Sequence, residues 1–332
     1  MKFQEFLNNK AKDFEKILDE RLKIKEPKKL YMAMRYLPML GGKRLRPLMA
    51  YLSCRALRHA PNTDSKEVYI FGAVLEMIHN FTLIHDDIMD NDPTRRGHKS
   101  VHEKFGLEAG INAGDALFAE AFEFLAESPL EPSLVKQLVK DVALMSKGIV
   151  EGQQMDVDFE STINSVKIED YLKMIEKKTA LLFQIAAKGG ALIAGASQED
   201  VKNMEEFGRL SGIAFQICDD LLDIVGVEKE IGKPKWSDIR KGKKTLMVIH
   251  ALQHASDEEK KILKKALGKR NASDEEVEAA VSVMEKLGSI SNARKLAKEY
   301  RDKAKKCLEK IPDSEYRRLL FDLTDFMVER IK

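Results

Sequence analysis

A chain of 332 residues that is 44% hydrophobic and 33% charged is long enough for a large core and too apolar to be disordered. Its 56 lysines and arginines against 54 acids leave a net charge of +2, which gives no global reason to expect nucleic acid. The N-terminus is charged within five residues, no uninterrupted apolar run reaches spanning length, and Cys54, Cys218 and Cys307 lack CxxC spacing. The expectation is a cytoplasmic protein with reduced thiols and no stable membrane insertion.

Helix signals run along almost the whole chain, with little period-two alternation. Phe3, Leu7, Phe14, Leu18 and Leu22 form a stripe that predicts an amphipathic first helix. In the Gly-Gly-Lys-Arg-Leu-Arg-Pro segment at 41–47, Lys43 and Arg46 stand three apart, where they can share a helical face and cradle an anion. The plain alternative is a basic helix start on the surface. Asp64-x-x-Glu67 opens a long apolar helix that ends near Asp90 in the cluster Asp86-Asp87-Ile88-Met89-Asp90, and Arg95-Arg96-Gly97 follow at once. Ser197-x-x-Asp200 opens a second such helix, which ends near Gly226 after Asp219-Asp220-Leu221-Leu222-Asp223. Gly232-Lys233-Pro234 and Lys241-Gly242-Lys243-Lys244-Thr245 come next, and Ser256-x-x-Glu259 and Ser273-x-x-Glu276 mark two further helix starts. Helices apolar on most faces are buried, and no linker divides the chain. The expected fold is therefore all-α: one domain over residues 1–332, a large bundle around two central helices with both acidic clusters opening into one cavity.

The acidic clusters carry the chemistry. The first and fifth residues of each lie about one turn apart, roughly 6 Å along the axis, so their carboxylates can converge on one cation. Three aspartates in five residues repel one another, and the C-terminal end of a helix dipole adds to the cost. Mg²⁺ suits such a site, since it takes one or two carboxylates and fills its remaining octahedral positions with water and substrate phosphate. Basic residues following both clusters are what a polyphosphate needs when its charge is shared between metal and protein.

The ordered set Gly-Gly-Lys-Arg-Leu-Arg-Pro at 41–47, Leu83-Ile84-His85-Asp86-Asp87-Ile88-Met89-Asp90 with Arg95-Arg96-Gly97, Gly114-Asp115, Gly152-Gln153 with Asp156, Lys178-Thr179-Ala180 and Phe215-Gln216-Ile217-Cys218-Asp219-Asp220-Leu221-Leu222-Asp223 resembles the trans-type isoprenyl diphosphate (polyprenyl) synthases from about Leu37 to Arg330. The resemblance implies three Mg²⁺ ions per active site, held by Asp86, Asp90 and Asp219 and supported by Asp87, Asp220 and Asp223. It implies that Arg95, Lys178, Lys233 and Lys243 contact an allylic diphosphate, with Thr179 and Gln216 at the reacting centre. Isopentenyl diphosphate would meet Lys43, Arg46, His79 and Arg96, while Gln153 and Asp156 would stand beside the metals as outer groups. The segment from Glu228 to Lys244 would close over the site, and the assembly would be a homodimer.

Phe81 lies five positions before Asp86, roughly 7.5 Å deeper along the helix, and can serve as a floor for a growing hydrocarbon or as an ordinary core ring. With small Thr82 beside it, the pattern resembles archaeal-type geranylgeranyl synthases, which favours a twenty-carbon product, with farnesyl diphosphate or a mixture as the alternative. A non-catalytic synthase subunit and a terpene cyclase are the remaining readings. The first has no need of the ligand set, and the second has no need of a cradle for a second diphosphate.

Overall fold

The structure, a computed structural model, describes residues 3–58, 66–161, 166–226 and 235–329. In chain order the helices are α1 (Phe3–Arg21), α2 (Lys28–Met39), α3 (Leu45–Leu57), α4 (Lys66–Met89), α5 (Val101–Phe105), α6 (Leu107–Ala126), α7 (Pro132–Ser161), α8 (Ile168–Ile175), α9 (Leu181–Ile193) and α10 (Gln198–Val225). They continue with α11 (Ser237–Lys241), α12 (Leu246–His254), α13 (Asp257–Ala266), α14 (Asp274–Lys286), α15 (Ser289–Leu308) and α16 (Glu315–Val328). The fold is all-α, as the sequence periodicity predicts. The one departure among the described residues is a minimal antiparallel hairpin, β1 (Thr94–Arg95) with β2 (His98–Lys99). Arg96 and Gly97 form its two-residue turn with φ of 54° and 75°, the left-handed pair that a tight hairpin requires.

Local chemistry sets the helix boundaries. Ser256 and Ser273 each accept from the backbone N–H three residues on, at 3.3 Å, and Glu259 and Glu276 reach back to complete both capping boxes. Ser197 caps α10 through Asp200 in the same manner, at 3.1 Å. Asp64, the expected cap of α4, lies outside the described residues. At its other end α4 stops in a Schellman closure, with Asn91 at φ 55°, Asp92 N–H donating to Asp87 O at 2.8 Å and Asn91 N–H to Ile88 O at 3.2 Å.

The chain packs as two compact units. The first comprises Met1–Ser146, Leu182–Gly208 and Cys307–Leu323, and the second Lys147–Leu181, Arg209–Lys306 and Thr324–Lys332. In the first, α4 packs against α3 and α6. Phe14, Leu18, Leu48, Tyr51, Phe71, Phe183 and Phe207 are among its fully buried side chains. Helix α4 has the length and mean hydropathy of a membrane span, although Glu76, His79 and Asn80 interrupt its apolar run. Most of it is buried inside the protein, as befits a core helix. The second unit has its own core, in which Tyr171, Ile213, Ile217, Leu221, Leu246, Val248 and Met284 are all buried.

Candidate active site

In the first unit, Asp86, Asp87 and Asp90 occupy the closing turn of α4, and the helical bond from Asp90 N–H to Asp86 O measures 2.8 Å. The expected electrostatic penalty is met by Arg95. From the hairpin it folds back to donate two hydrogen bonds to buried Asp87, Nε at 2.8 Å, and stands 3.8 Å from Asp86 and 3.9 Å from Asp92. Burial works against the Arg95 charge, yet these three acids outweigh it and raise its pKa. Asp87 is thus the partner of Arg95, which grips a carboxylate in addition to any anion it meets.

The second cationic group of this unit draws on three elements. Lys43 is exposed, Arg46 lies on α3, and its guanidinium approaches His79 Nε2 on α4 at 3.2 Å and the Phe183 ring at 4.6 Å. Arg96, in the hairpin turn, donates to the carbonyls of Gly41 and Leu37. Burial, then the charges of Arg46 and Arg96, hold His79 well below the ordinary histidine range, so it is a neutral ring that accepts from Arg46. The expectation that Lys43 and Arg46 share a helical face is corrected. Gly41, Gly42 and Arg44 have φ of 82°, 144° and 49°, so the chain is not helical until Leu45, and Lys43 sits in the preceding loop.

Further down α4, Phe81 contacts His85 with ring centroids 5.0 Å apart and Phe118 of α6 at 5.1 Å, and Phe118 meets Phe122 at 5.0 Å. Thr82 donates to its own helix, to His79 O at 2.8 Å. Phe118 and Phe122 belong to the same aromatic row, and sequence reading passed over them because an aromatic pair at i and i+4 looks like any packed helix face.

In the second unit the three aspartates of α10 have different surroundings. Asp219 is exposed, whereas Asp220 and Asp223 are buried. Asp223 accepts from the backbone N–H of Asp238 at 3.2 Å and so ties α11 to the end of α10. Asp220 accepts from the Tyr171 hydroxyl at 2.7 Å and from Gln216 Nε2 at 2.7 Å, and Gln216 in turn accepts from the Thr179 hydroxyl at 2.6 Å. Burial, then the neighbouring charges of Asp238 and Asp219, push Asp220 up to about 8 against the opposing effect of these hydrogen bonds.

Lys178 and Thr179 lie in a single π-helical turn, Glu176–Ala180, between α8 and α9, where Leu181 N–H reaches back five residues to Glu176 O. Side chains tether this turn on several sides. Lys177 pairs with Glu151, Glu176 with Arg209 at 2.9 Å, and Lys178 with Asp156 at 2.7 Å. Gly152 permits its close approach to α7, since a Cβ there would lie 2.3 Å from the Lys178 backbone nitrogen. Asp156 is buried, and the same carboxylate oxygen also takes Lys243 at 2.8 Å, while Lys243 reaches Glu160 at 2.7 Å. Burial resists its ionisation, but Lys178 and Lys243 prevail and lower its pKa. Asp156 is therefore a shared partner for two lysines. Gln153 is half-exposed one turn away on α7.

Lys233 lies outside the described residues, as does the segment 227–234. From Lys235 to Lys244 the expected closing loop instead contains helix α11 and the buried Lys243 and Lys244. Lys244 donates to Gly242 O at 2.9 Å, and burial lowers its pKa.

Among the described residues no three His, Cys, Asp or Glu side chains form a ready-made cation cage. The donors on offer are carboxylate oxygens. That set fits a hard ion such as Mg²⁺, which uses few protein ligands and reserves positions for water and phosphate.

The sequence matches the model of the family described as polyprenyl synthetase over residues 27–284. A geranylgeranyl diphosphate synthase from Methanosarcina mazei is 40% identical over 324 residues, 98% of this chain and 97% of that protein. A geranylfarnesyl diphosphate synthase from Natronomonas pharaonis is 39% identical over 325 residues, 94% of this chain and 93% of its own length. The crystal structure of the geranylgeranyl pyrophosphate synthetase from Pyrococcus horikoshii superposes with a TM-score of 0.90 at 40% identity, over 99% of this chain and 98% of that one.

Proposed function

Because the chain belongs to the polyprenyl synthetase family and is a prenyltransferase, we propose that it condenses isopentenyl diphosphate with allylic diphosphates and that its main product is geranylgeranyl diphosphate. The observation that carries this reading is the presence of two cationic groups of different make. One is the guanidinium set of Arg46 and Arg96 beside neutral His79, and the other the lysine pair on Asp156 with the acids of α10. A condensing enzyme must hold two diphosphates. A terpene cyclase holds one, and a non-catalytic subunit need hold none.

Asp86, Asp90 and Asp219 would hold Mg²⁺, three ions in all, with Asp87, Asp220 and Asp223 in support. When bound, the metal stabilises the negative charge that develops on the departing diphosphate. Arg95, Lys178, Lys233 and Lys243 bear on the same group, and Thr179 and Gln216, joined by their 2.6 Å hydrogen bond, orient the allylic end. Breaking the allylic carbon–oxygen bond leaves a carbocation and diphosphate. The double bond of isopentenyl diphosphate, oriented through Lys43, Arg46, His79 and Arg96, attacks that cation to form the new carbon–carbon bond. A proton then passes to the released diphosphate, and the chain is five carbons longer.

Phe81, backed by Phe118 and flanked by Thr82, is the floor in this reading. A twenty-carbon product is favoured by the Methanosarcina and Pyrococcus relatives, and the Natronomonas relative bears a name with a longer product. The enzyme is read as cytoplasmic, in keeping with Cys54, Cys218 and Cys307 standing as thiols, and as a homodimer. Incubation with isopentenyl diphosphate, each short allylic diphosphate and Mg²⁺, followed by chromatography of the dephosphorylated products, tests the proposal. Twenty-carbon alcohol dependent on Mg²⁺ supports it, and failure to consume isopentenyl diphosphate sinks it. Phe81→Ala should shift the product by at least one five-carbon unit, and an unchanged distribution removes Phe81 from its role as floor.

A further inference from the structure

Arg44 stands between Lys43 and Arg46 in the same basic segment, but its surroundings differ from theirs. It is 3% exposed and left-handed at φ 49°. Its guanidinium donates to Glu76 Oε1 at 2.6 Å and to Pro38 O at 2.5 Å, and comes within 3.5 Å of Glu15. Glu76, 2% exposed on α4, also accepts from Asn80 Nδ2 at 3.2 Å. Arg44 therefore directs both terminal nitrogens of its guanidinium at protein acceptors.

Glu76 serves more than one cation. Burial opposes its charge, and Arg44, Arg96 and Arg46, in that order, overcome the opposition and keep its pKa below the usual carboxylate range. Arg44 touches this buried carboxylate directly, and the permanent charges of Arg96 and Arg46 act on it as well. Arg44 fixes the loop 41–44, and that loop supplies the Gly41 carbonyl that receives Arg96. Gly42 lies over the same guanidinium, since a Cβ on it would meet Arg96 Cζ at 3.3 Å. Arg96 is itself left-handed at φ 54°, a conformation that a long side chain keeps only when its surroundings hold it.

We propose that Arg44 and Glu76 are a positioning pair for the second diphosphate: Glu76 holds Arg44 in place, and Arg44 holds the loop whose Gly41 carbonyl orients Arg96, without itself touching substrate. This rests on the reading that Arg46 and Arg96 receive isopentenyl diphosphate. Positioning predicts an effect on one substrate, whereas a merely structural pair would affect stability or both substrates alike.

The test is steady-state kinetics with each diphosphate varied in turn, on wild type, Glu76→Gln and the double variant Arg44→Met/Glu76→Met. Replacing both charges by apolar residues of similar volume is often neutral for stability, so the double variant supplies a folded sample should Glu76→Gln fail to fold. The expected result is a KM for isopentenyl diphosphate raised about 10- to 100-fold in both variants, the scale of a lost charge-assisted hydrogen bond. The allylic KM should move by less than about twofold, within ordinary context-dependent variation for a site not touched. Equal rises in both KM values, or a double variant with the wild-type KM for isopentenyl diphosphate, would overturn the inference. A wild type that consumes no isopentenyl diphosphate would instead overturn the functional reading on which it rests.

Discussion

In the first unit Arg44, Arg95 and Arg96 are guanidiniums held in fixed geometry, while in the second Lys178 and Lys243 are ammoniums sharing a carboxylate. Arg95 grips Asp87 with two N–H groups, Arg44 grips Glu76, and Arg96 is locked onto backbone carbonyls. Lys178 and Lys243 meet on one oxygen of Asp156. A planar fork is preorganised and loses little entropy per bond, whereas an ammonium on a flexible stem is a point charge that can exchange one anion for another. The comparison teaches a division of labour. Under the proposed function, Arg46 and Arg96 suit an isopentenyl diphosphate that keeps its charge through the reaction, and Lys178 and Lys243 suit an allylic diphosphate whose charge grows as it leaves, while Lys43 and Arg95 each serve the opposite side of that division.

The largest expected effect comes from Asp86, one of the acids proposed to hold the metal. Asp86→Ala should lower kcat by about a thousandfold or more, the scale of removing an electrostatic stabiliser of the leaving group, with melting temperature little changed. Near-normal turnover at saturating Mg²⁺ would break the assignment. Gly152→Ala comes next, because its Cβ would strike the backbone of the π-helical turn at Lys178. Overpacking of this kind costs about 1–3 kcal/mol, and thermal unfolding should register it together with a loss of turnover. A variant with wild-type stability and rate would show that the turn can give way.

The smallest effect concerns pH. The imidazole of His79 is held well below its ordinary range in the folded protein, while the unfolded chain titrates near 6.5. Below that pH the unfolded state binds the proton first, so this contribution to stability is complete above pH 6.5 and declines as the pH falls toward the folded pKa. Denaturant titrations between pH 7.5 and 5.5 should find a loss that is smaller in His79→Gln, and identical pH slopes in the two proteins would contradict the neutral assignment.

Much of this arrangement is legible in the sequence wherever the cause is local. The Ser256 and Ser273 caps, the long apolar helices and the position of each acidic cluster in a closing turn all follow from neighbours within five residues. The Arg44–Glu76 pair, separated by 32 residues, leaves no periodic trace, and a buried ion pair is spelled like two surface charges. The π-helical turn at 176–180 is hidden for a related reason. Its spelling is that of an ordinary helix, and the wider turn depends on tethers to Glu151, Asp156 and Arg209, which lie elsewhere in the chain.

The division of labour is tested most directly by measuring both KM values in Arg96→Lys and Lys243→Gln side by side. The account predicts that Arg96→Lys raises the KM for isopentenyl diphosphate and spares the allylic one, and that Lys243→Gln does the reverse. Variants that each raised both KM values to the same extent would contradict it.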